Sequence, residues 1–170
     1  SLYLHNISYV IIMQRILRLF CLPIWCMLVL VGCNESQTKK LKIVCSTDVH
    51  GNFFPYDFCS DSSSTGSLAR VSSYLNGERE VYGDNLLFID AGDILQGQPT
   101  SYYYNTQAIE EPHLAAEVLN YLKCDAATLG NHDIEPGGAT YQRYIGDCHF
   151  PVVCGNIYFE DSETPFLPPY

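Results

Sequence analysis

Three short stretches carry side chains of the kind that hold metal ions: Asp48-Val49-His50-Gly51, Asp90-Ala91-Gly92-Asp93 and Gly130-Asn131-His132-Asp133. Asp48, His50, Asp93 and Asn131 offer carboxylate, imidazole and amide groups and no thiolate, a donor set suited to Mn, Fe, Co or Zn. Taken singly, each stretch is also an ordinary turn with solvated neighbours. Taken together, and in this order, they point to one shared centre. Asp93 lies between the other groups in sequence and is the natural bridge between two cations. Such a pair, about 3.5 to 4 Å apart, clamps the attacking and leaving oxygens of a phosphoryl group and makes hydroxide available near neutral pH. His132 is then free to stabilise charge on the phosphorus or protonate the leaving oxygen, a role worth on the order of 10²- to 10⁴-fold in rate. Glu135, three residues on, can hold the tautomer of His132. Asp133 is given neither task.

For these groups to meet, the chain must bring them to one edge. Leu41 to Thr47, Asn85 to Ile89, Ala126 to Leu129 and Phe150 to Cys154 are short apolar runs that read as buried strands. Between them, Leu68, Val71 and Leu75 mark a helix from about Ser67 to Asn76, with Gly77 as its stop. Pro112 opens a second helix, with Leu114, Ala115, Val118, Leu119 and Leu122 on its apolar face, and a short third spans Thr140 to Ile145. Tyr102-Tyr103-Tyr104 either covers a groove or packs on the core. Alternating strands and helices predict an α/β sheet with mostly parallel neighbours. In such sheets the site lies beyond the carboxyl ends of the strands, where three of the four runs deliver metal-type residues. His113 and His149 flank a helix and a strand and read as surface residues.

With 47% hydrophobic and 16% charged residues, the 170-residue chain has the composition of one globular domain rather than a disordered one. Part of that apolar content belongs to a leader. Arg15 and Arg18 precede an apolar run from Leu19 to Val31 that ends in Leu30-Val31-Gly32-Cys33, too short to span a bilayer. A small residue before Cys resembles a bacterial lipobox, so residues 13–33 are expected to be a signal peptide and Cys33 the lipidated N-terminus. Residues 1–12 are then upstream sequence and residues 34–40 a tether, leaving 41–170 as the domain. Beyond the leader stand seven basic residues against nineteen acidic ones. Such a balance disfavours binding to a nucleic-acid duplex, which needs a basic patch. The five cysteines that remain contain no CxxC pair, which argues against a zinc knuckle. Cys45 and Cys154, inside apolar runs, read as small buried hydrophobes, and no disulfide is assigned.

In these blocks the chain resembles the calcineurin-like metallophosphoesterases. The stretches Gly66-Ser67-Leu68-Ala69-Arg70, Gln96-Gly97-Gln98-Pro99 after Gly92-Asp93, and Phe150 to Ile157 resemble the branch of 5'-nucleotidases and 2',3'-cyclic-nucleotide phosphodiesterases. The resemblance extends from about Leu41 to Tyr170. It implies that Asp48 and His50 hold one metal, Asp93 bridges, Asn131 holds the second, and His132 is the catalytic imidazole. Glu135 stands where the family usually has Asp as the partner of that histidine. Ser67 and Asn52 also depart from the more usual Gly and His.

The implied fold is a four-layer α/β/β/α sandwich, of which this chain would be the N-terminal half. The family's later metal-binding histidines, including a Gly-His-x-His motif, and its nucleoside-holding C-terminal domain lie outside the sequence. One metal would then lack a histidine and the other two, and an apolar sheet face would stand open. The implied activity is hydrolysis of nucleotide phosphoesters in the bacterial cell envelope. Two alternatives stay open: a non-catalytic fragment, and a phosphoesterase for a different phosphate ester.

Overall fold

The computed structural model describes residues 38–170, together with Met13 and Arg15. The expected signal peptide, Cys33 and most of the tether lie outside the described residues. Among the described residues, no helix is long and apolar enough to cross a membrane. Lys40–Tyr170 forms a compact unit of its own.

That unit is built on a parallel sheet of β1 (Lys42–Ser46), β4 (Leu86–Asp90) and β5 (Ala126–Ala127), in the order β1-β4-β5. A bridge from Ala127 to Val152 carries the parallel pattern one chain further. A small hairpin, β2 (Tyr56–Asp57) with β3 (Ser62–Ser63), stands apart in the loop after β1. The helices are α1 (Leu68–Tyr82), α2 (Pro99–Thr106), α3 (Leu114–Tyr121), α4 (Asn131–Ile134) and α5 (Gly138–Asp147). Phe88, Ile94, Leu95, Leu75, Leu119 and Tyr144 are fully buried and form the centre of the core. Burying each such side chain contributes about 1.5 to 3 kcal/mol.

The central strand alternates buried and half-buried residues, whereas one face of β1 is open. Ile43 is 57% exposed there and Cys45 is exposed, so the open sheet face expected from half a sandwich is present. Cys45 is therefore not the buried hydrophobe expected of it: its side chain falls on the uncovered side of the pleat. Cys154 is buried as expected, and all five described cysteines are free thiols.

Other elements differ from expectation for local reasons. Helix α1 does not stop at Gly77 but runs on to Tyr82, where Gly83 ends it with φ of +53°. A glycine inside a helix costs about 1 kcal/mol, and the turn beyond it is held from outside, by Tyr82 packing on the core and by Arg79 donating to the Leu122 carbonyl. Ser67 caps its start by accepting from the Arg70 N–H. Pro112 precedes the cap of α3 rather than lying in its first turn, because His113 is the capping residue. The expected third and fourth strands shrink to Ala126–Ala127 and to the bridge at Val152. The tyrosine stretch forms part of α2, with Tyr102 and Tyr103 exposed.

Candidate metal centre

The parallel register levels the strand ends, pairing Ser46 with Asp90 and Asp90 with Ala127. The loops that follow are then laced together by their own backbones. Asp48 N–H donates to the Gly92 carbonyl at 3.0 Å, His50 N–H to the Asp93 carbonyl at 2.8 Å, and Thr128 N–H to the Asp90 carbonyl at 3.0 Å. This lacing draws one ligand atom each of Asp48, His50 and Asp93 to within 4.8 Å of one another. All three residues have positive φ, at +54°, +49° and +59°. Side chains other than glycine pay on the order of 1 to 3 kcal/mol for that conformation. The strain is concentrated where the three donors meet.

His50 is oriented for coordination. Its Nδ1 lies 3.1 Å from the Gln96 carbonyl, and a carbonyl can only accept, so Nδ1 carries the hydrogen. The lone pair is left on Nε2, which lies 3.9 Å from an Asp48 carboxylate oxygen. A ligating imidazole that donates its other N–H to the protein is the usual arrangement in metal sites.

Asp93 is buried, and its Oδ1 accepts from the His132 N–H at 2.8 Å. The carboxylate lies so close to Gly130 that a Cβ there would stand 2.1 Å from Oδ1. Gly92, with φ of +93°, meets the Gly130 backbone just as closely from the other side. Either glycine replaced by any other residue would force the two loops apart. Asn131 sits between Gly130 and His132, the two residues whose backbones touch the Asp93 carboxylate.

The clamp that holds these loops is Asp133, which sequence reasoning left without a task. It is fully buried. One carboxylate oxygen accepts from the N–H groups of Asp93 (2.7 Å) and Gly130 (2.8 Å), the other from those of Ile94 and Leu95 (2.8 Å each). Four donors fill the acceptor capacity of a carboxylate. The one hint in sequence is its place at the third position of α4, where a carboxylate can reach back to the start of a helix.

His132 stands beside this assembly, its ring centre 5.3 Å from that of His50. Its Nδ1 lies 3.0 Å from Glu135 Oε1, within ion-pair distance though off the line of a hydrogen bond that meets strict geometry. The Glu135 carboxylate pushes the His132 pKa up; the side-chain amide of Gln96, and then His132, push that of Glu135 down. Asp90 is a second buried carboxyl near the centre. Burial pushes its pKa up to about 6, against the opposing hydrogen bonds from Ser46 Oγ and the Gly92 N–H.

His113 is not a surface residue. It is 1% exposed: Nδ1 accepts from the Ala115 N–H at 3.2 Å, and Nε2–H donates to Asn105 Oδ1 at 2.9 Å. Burial, and then the Arg143 charge, push its pKa down to about 4. His149 is exposed, as expected.

The chain that carries this triad is similar in sequence and fold to known proteins. Residues 41–166 match the family model described as calcineurin-like phosphoesterase. The chain belongs to that family. It is 31% identical over 169 residues to the trifunctional nucleotide phosphoesterase YfkN of Bacillus subtilis, covering 91% of this chain and 12% of that protein. It is also 30% identical over 133 residues to a 2',3'-cyclic-nucleotide 2'-phosphodiesterase/3'-nucleotidase of Haemophilus influenzae, covering 76% of this chain and 20% of that protein. The crystal structure of Bacillus subtilis YfkN superposes with a TM-score of 0.69 at 32% identity, covering 75% of this chain and 40% of that one. The chain thus spans a fifth or less of the length of these two curated relatives. Calcineurin-like phosphoesterases are hydrolases that use divalent metals, and the triad fits such an ion. Its donors are of hard or borderline type, and the imidazole is turned to offer Nε2.

Proposed function

We propose that this chain is part of a phosphoesterase that hydrolyses nucleotide phosphoesters, either 5'-nucleotides or 2',3'-cyclic nucleotides, with two divalent metals among Mn, Zn, Co and Fe. The observation that carries this is the convergence of Asp48, His50 and Asp93 within 4.8 Å, with the His132 ring 5.3 Å from that of His50. Asp48 and His50 would hold one metal and Asn131 the second, with Asp93 placed to serve both. When bound, the pair supplies charge to the phosphoryl oxygens and a nucleophile from water at neutral pH. The protein's own part is to place a proton. His132, with Nδ1 against Glu135 and its ring 5.3 Å from that of His50, has Nε2 left to protonate a leaving alkoxide. The Asp133 clamp keeps the loops from relaxing as charge develops, so little reorganisation is needed.

The nucleotide preference is supported by the names of the relatives. Residues 41–170 form the phosphoesterase part, residues 13–33 a lipoprotein signal ending at Cys33, and residues 34–40 a tether that places the enzyme outside the cytoplasmic membrane of a bacterial envelope.

The test uses the longest continuous reading frame containing the chain, beside the 170-residue chain itself. Each is supplied with Mn(II) and a panel of 5'-, 3'- and 2',3'-cyclic nucleotides and simple phosphate esters. Hydrolysis that is lost in Asp93→Ala and His132→Ala supports the proposal. Activity that survives the double substitution overturns the mechanism, and activity on simple esters alone overturns the substrate class. Mass spectrometry of the envelope-purified protein decides the anchor: a diacylglycerol mass on Cys33 is expected.

A further inference from the structure

We propose that Asn105, on α2, is a positioning residue for the metal centre, its side-chain amide pinning the loop that orients His50. The inference rests on the phosphoesterase reading above. The loop runs from Ile94 to Gln98, between β4 and α2 and outside any strand or helix. It grips His50 through two bonds. The Gln96 carbonyl receives the His50 Nδ1–H at 3.1 Å, and the Gln98 N–H donates to the His50 carbonyl at 3.1 Å. Between them Gly97, with φ of +132°, lies so close that a Cβ there would stand 2.7 Å from His50 Cβ. The direction of the imidazole, and hence the nitrogen it offers to a cation, therefore depends on where this loop rests.

Leu95 is where the loop is held. Its N–H donates to Asp133 Oδ1 at 2.8 Å, and its carbonyl accepts from Asn105 Nδ2 at 2.8 Å. A carbonyl can only accept, so the amide nitrogen is the atom that faces it. The oxygen of the same amide takes the His113 Nε2–H at 2.9 Å; the bond to the loop is made by Nδ2 alone. The Leu95 carbonyl and the Gln96 N–H share one planar peptide. With that plane held by Asn105, only the φ and ψ of Gln96 stand between it and the carbonyl on His50. The Asp133 clamp acts on the plane before. Without Asn105 the peptide between Leu95 and Gln96 can turn, and its carbonyl loses this partner.

Two variants remove the donor: Asn105→Leu, and Asn105→Asp, which keeps the shape and at neutral pH turns a carboxylate oxygen to the Leu95 carbonyl. The control is Arg143→Met. Arg143 also ties α2 to α5, donating to the carbonyls of Tyr104 and Ala108, both outside the loop. In the longest reading frame containing the chain, Mn(II) affinity by titration calorimetry is expected to fall about tenfold in both Asn105 variants and less than about twofold in Arg143→Met. In the metal-free protein, hydrogen exchange at the Gln98 N–H should quicken about tenfold in the Asn105 variants. The Phe88 N–H in β4, which donates to Asp125, should keep the parent rate. Mn(II) affinity that falls no further than in Arg143→Met, or exchange that quickens equally at Gln98 and Phe88, would overturn the proposal. If Asn105→Leu does not fold, Asn105→Asp decides. A parent protein that binds no Mn(II) and hydrolyses no phosphate ester sinks the functional reading, and the exchange result still decides whether Asn105 holds the loop.

Discussion

His113 and His132 are nineteen residues apart in sequence, and the protein uses them in opposite ways. His113 spends both ring nitrogens inside the fold, one on the Ala115 N–H and one on Asn105, and is sealed from water. His132 engages one nitrogen with Glu135 and leaves the other at a half-exposed edge, and His50 does the same through the Gln96 carbonyl. What separates a structural histidine from a chemical one is therefore the count of nitrogens the protein has already satisfied. The same contrast holds for the carboxylates. Asp133 has its acceptor capacity filled by four N–H groups, whereas Asp93 turns one oxygen to the His132 N–H and shares a ligand cluster with Asp48 and His50.

The contrast is most sharply tested by exchanging the roles. His132→Ala should cost on the order of 10²- to 10⁴-fold in hydrolysis, while His113→Asn, which retains a capping side chain, should leave turnover per folded molecule within about twofold. Equal losses in steady-state assays of the two variants would end the distinction drawn here. Asp133→Ala orphans four buried N–H groups at roughly 1 to 3 kcal/mol each. A loss on the order of 5 kcal/mol is expected, read as a chain that no longer shows a cooperative urea transition by circular dichroism.

Titration should separate the two buried acids and bases by sign. His113 is held near 4, below its unfolded value of about 6.5, so it contributes stability above pH 6.5 that is lost as pH falls towards 4. Asp90 is held near 6, above its unfolded value near 4, so its contribution is present below pH 4 and lost as pH rises through 6. Each amounts to roughly 3 kcal/mol, and between pH 4 and 6 they oppose one another. Urea melts in EDTA across that range should show stability rising more steeply with pH in Asp90→Asn than in the parent, and less steeply in His113→Asn. Parallel profiles for all three would refute both assignments. The smallest effect expected is at Gly77, where a Cβ meets nothing within 4 Å inside α1. Gly77→Ala should raise stability by about 0.5 to 1 kcal/mol without touching activity.

The meeting of Asp48, His50 and Asp93, with His132 and Glu135 beside them, was legible in the sequence because each follows an apolar run at short spacing, and a parallel sheet brings such positions to one edge. The family assignment rests on the same residues. Asp133 and His113 were not legible in the same way. Beyond the neighbouring Gly130, the partners of Asp133 are Asp93, Ile94 and Leu95, some forty residues away, and beyond the neighbouring Ala115 the His113 ring meets Asn105, while its backbone N–H donates to Asp147 on another element. No local pattern announces them. Gly77 was misjudged because helix propensity is a local quantity of about 1 kcal/mol, whereas the contacts that carry α1 past it, Tyr82 on the core and Arg79 on the Leu122 carbonyl, are made to residues distant in sequence.

By itself, then, the sequence determined the inventory: an acidic chain, short apolar runs, and Asp, His, Asn and His placed just beyond them. It also determined the likeness to one family of phosphoesterases, since that is carried by residue types at fixed spacing. Only the tertiary structure decided how each group is spent. The left-handed turns at Asp48, His50 and Asp93, the Gly92 and Gly130 contact, and the four bonds to Asp133 are agreements between loops that meet in space. A hydrogen bond is set by where two groups come to rest, and that depends on the packing of all the elements at once.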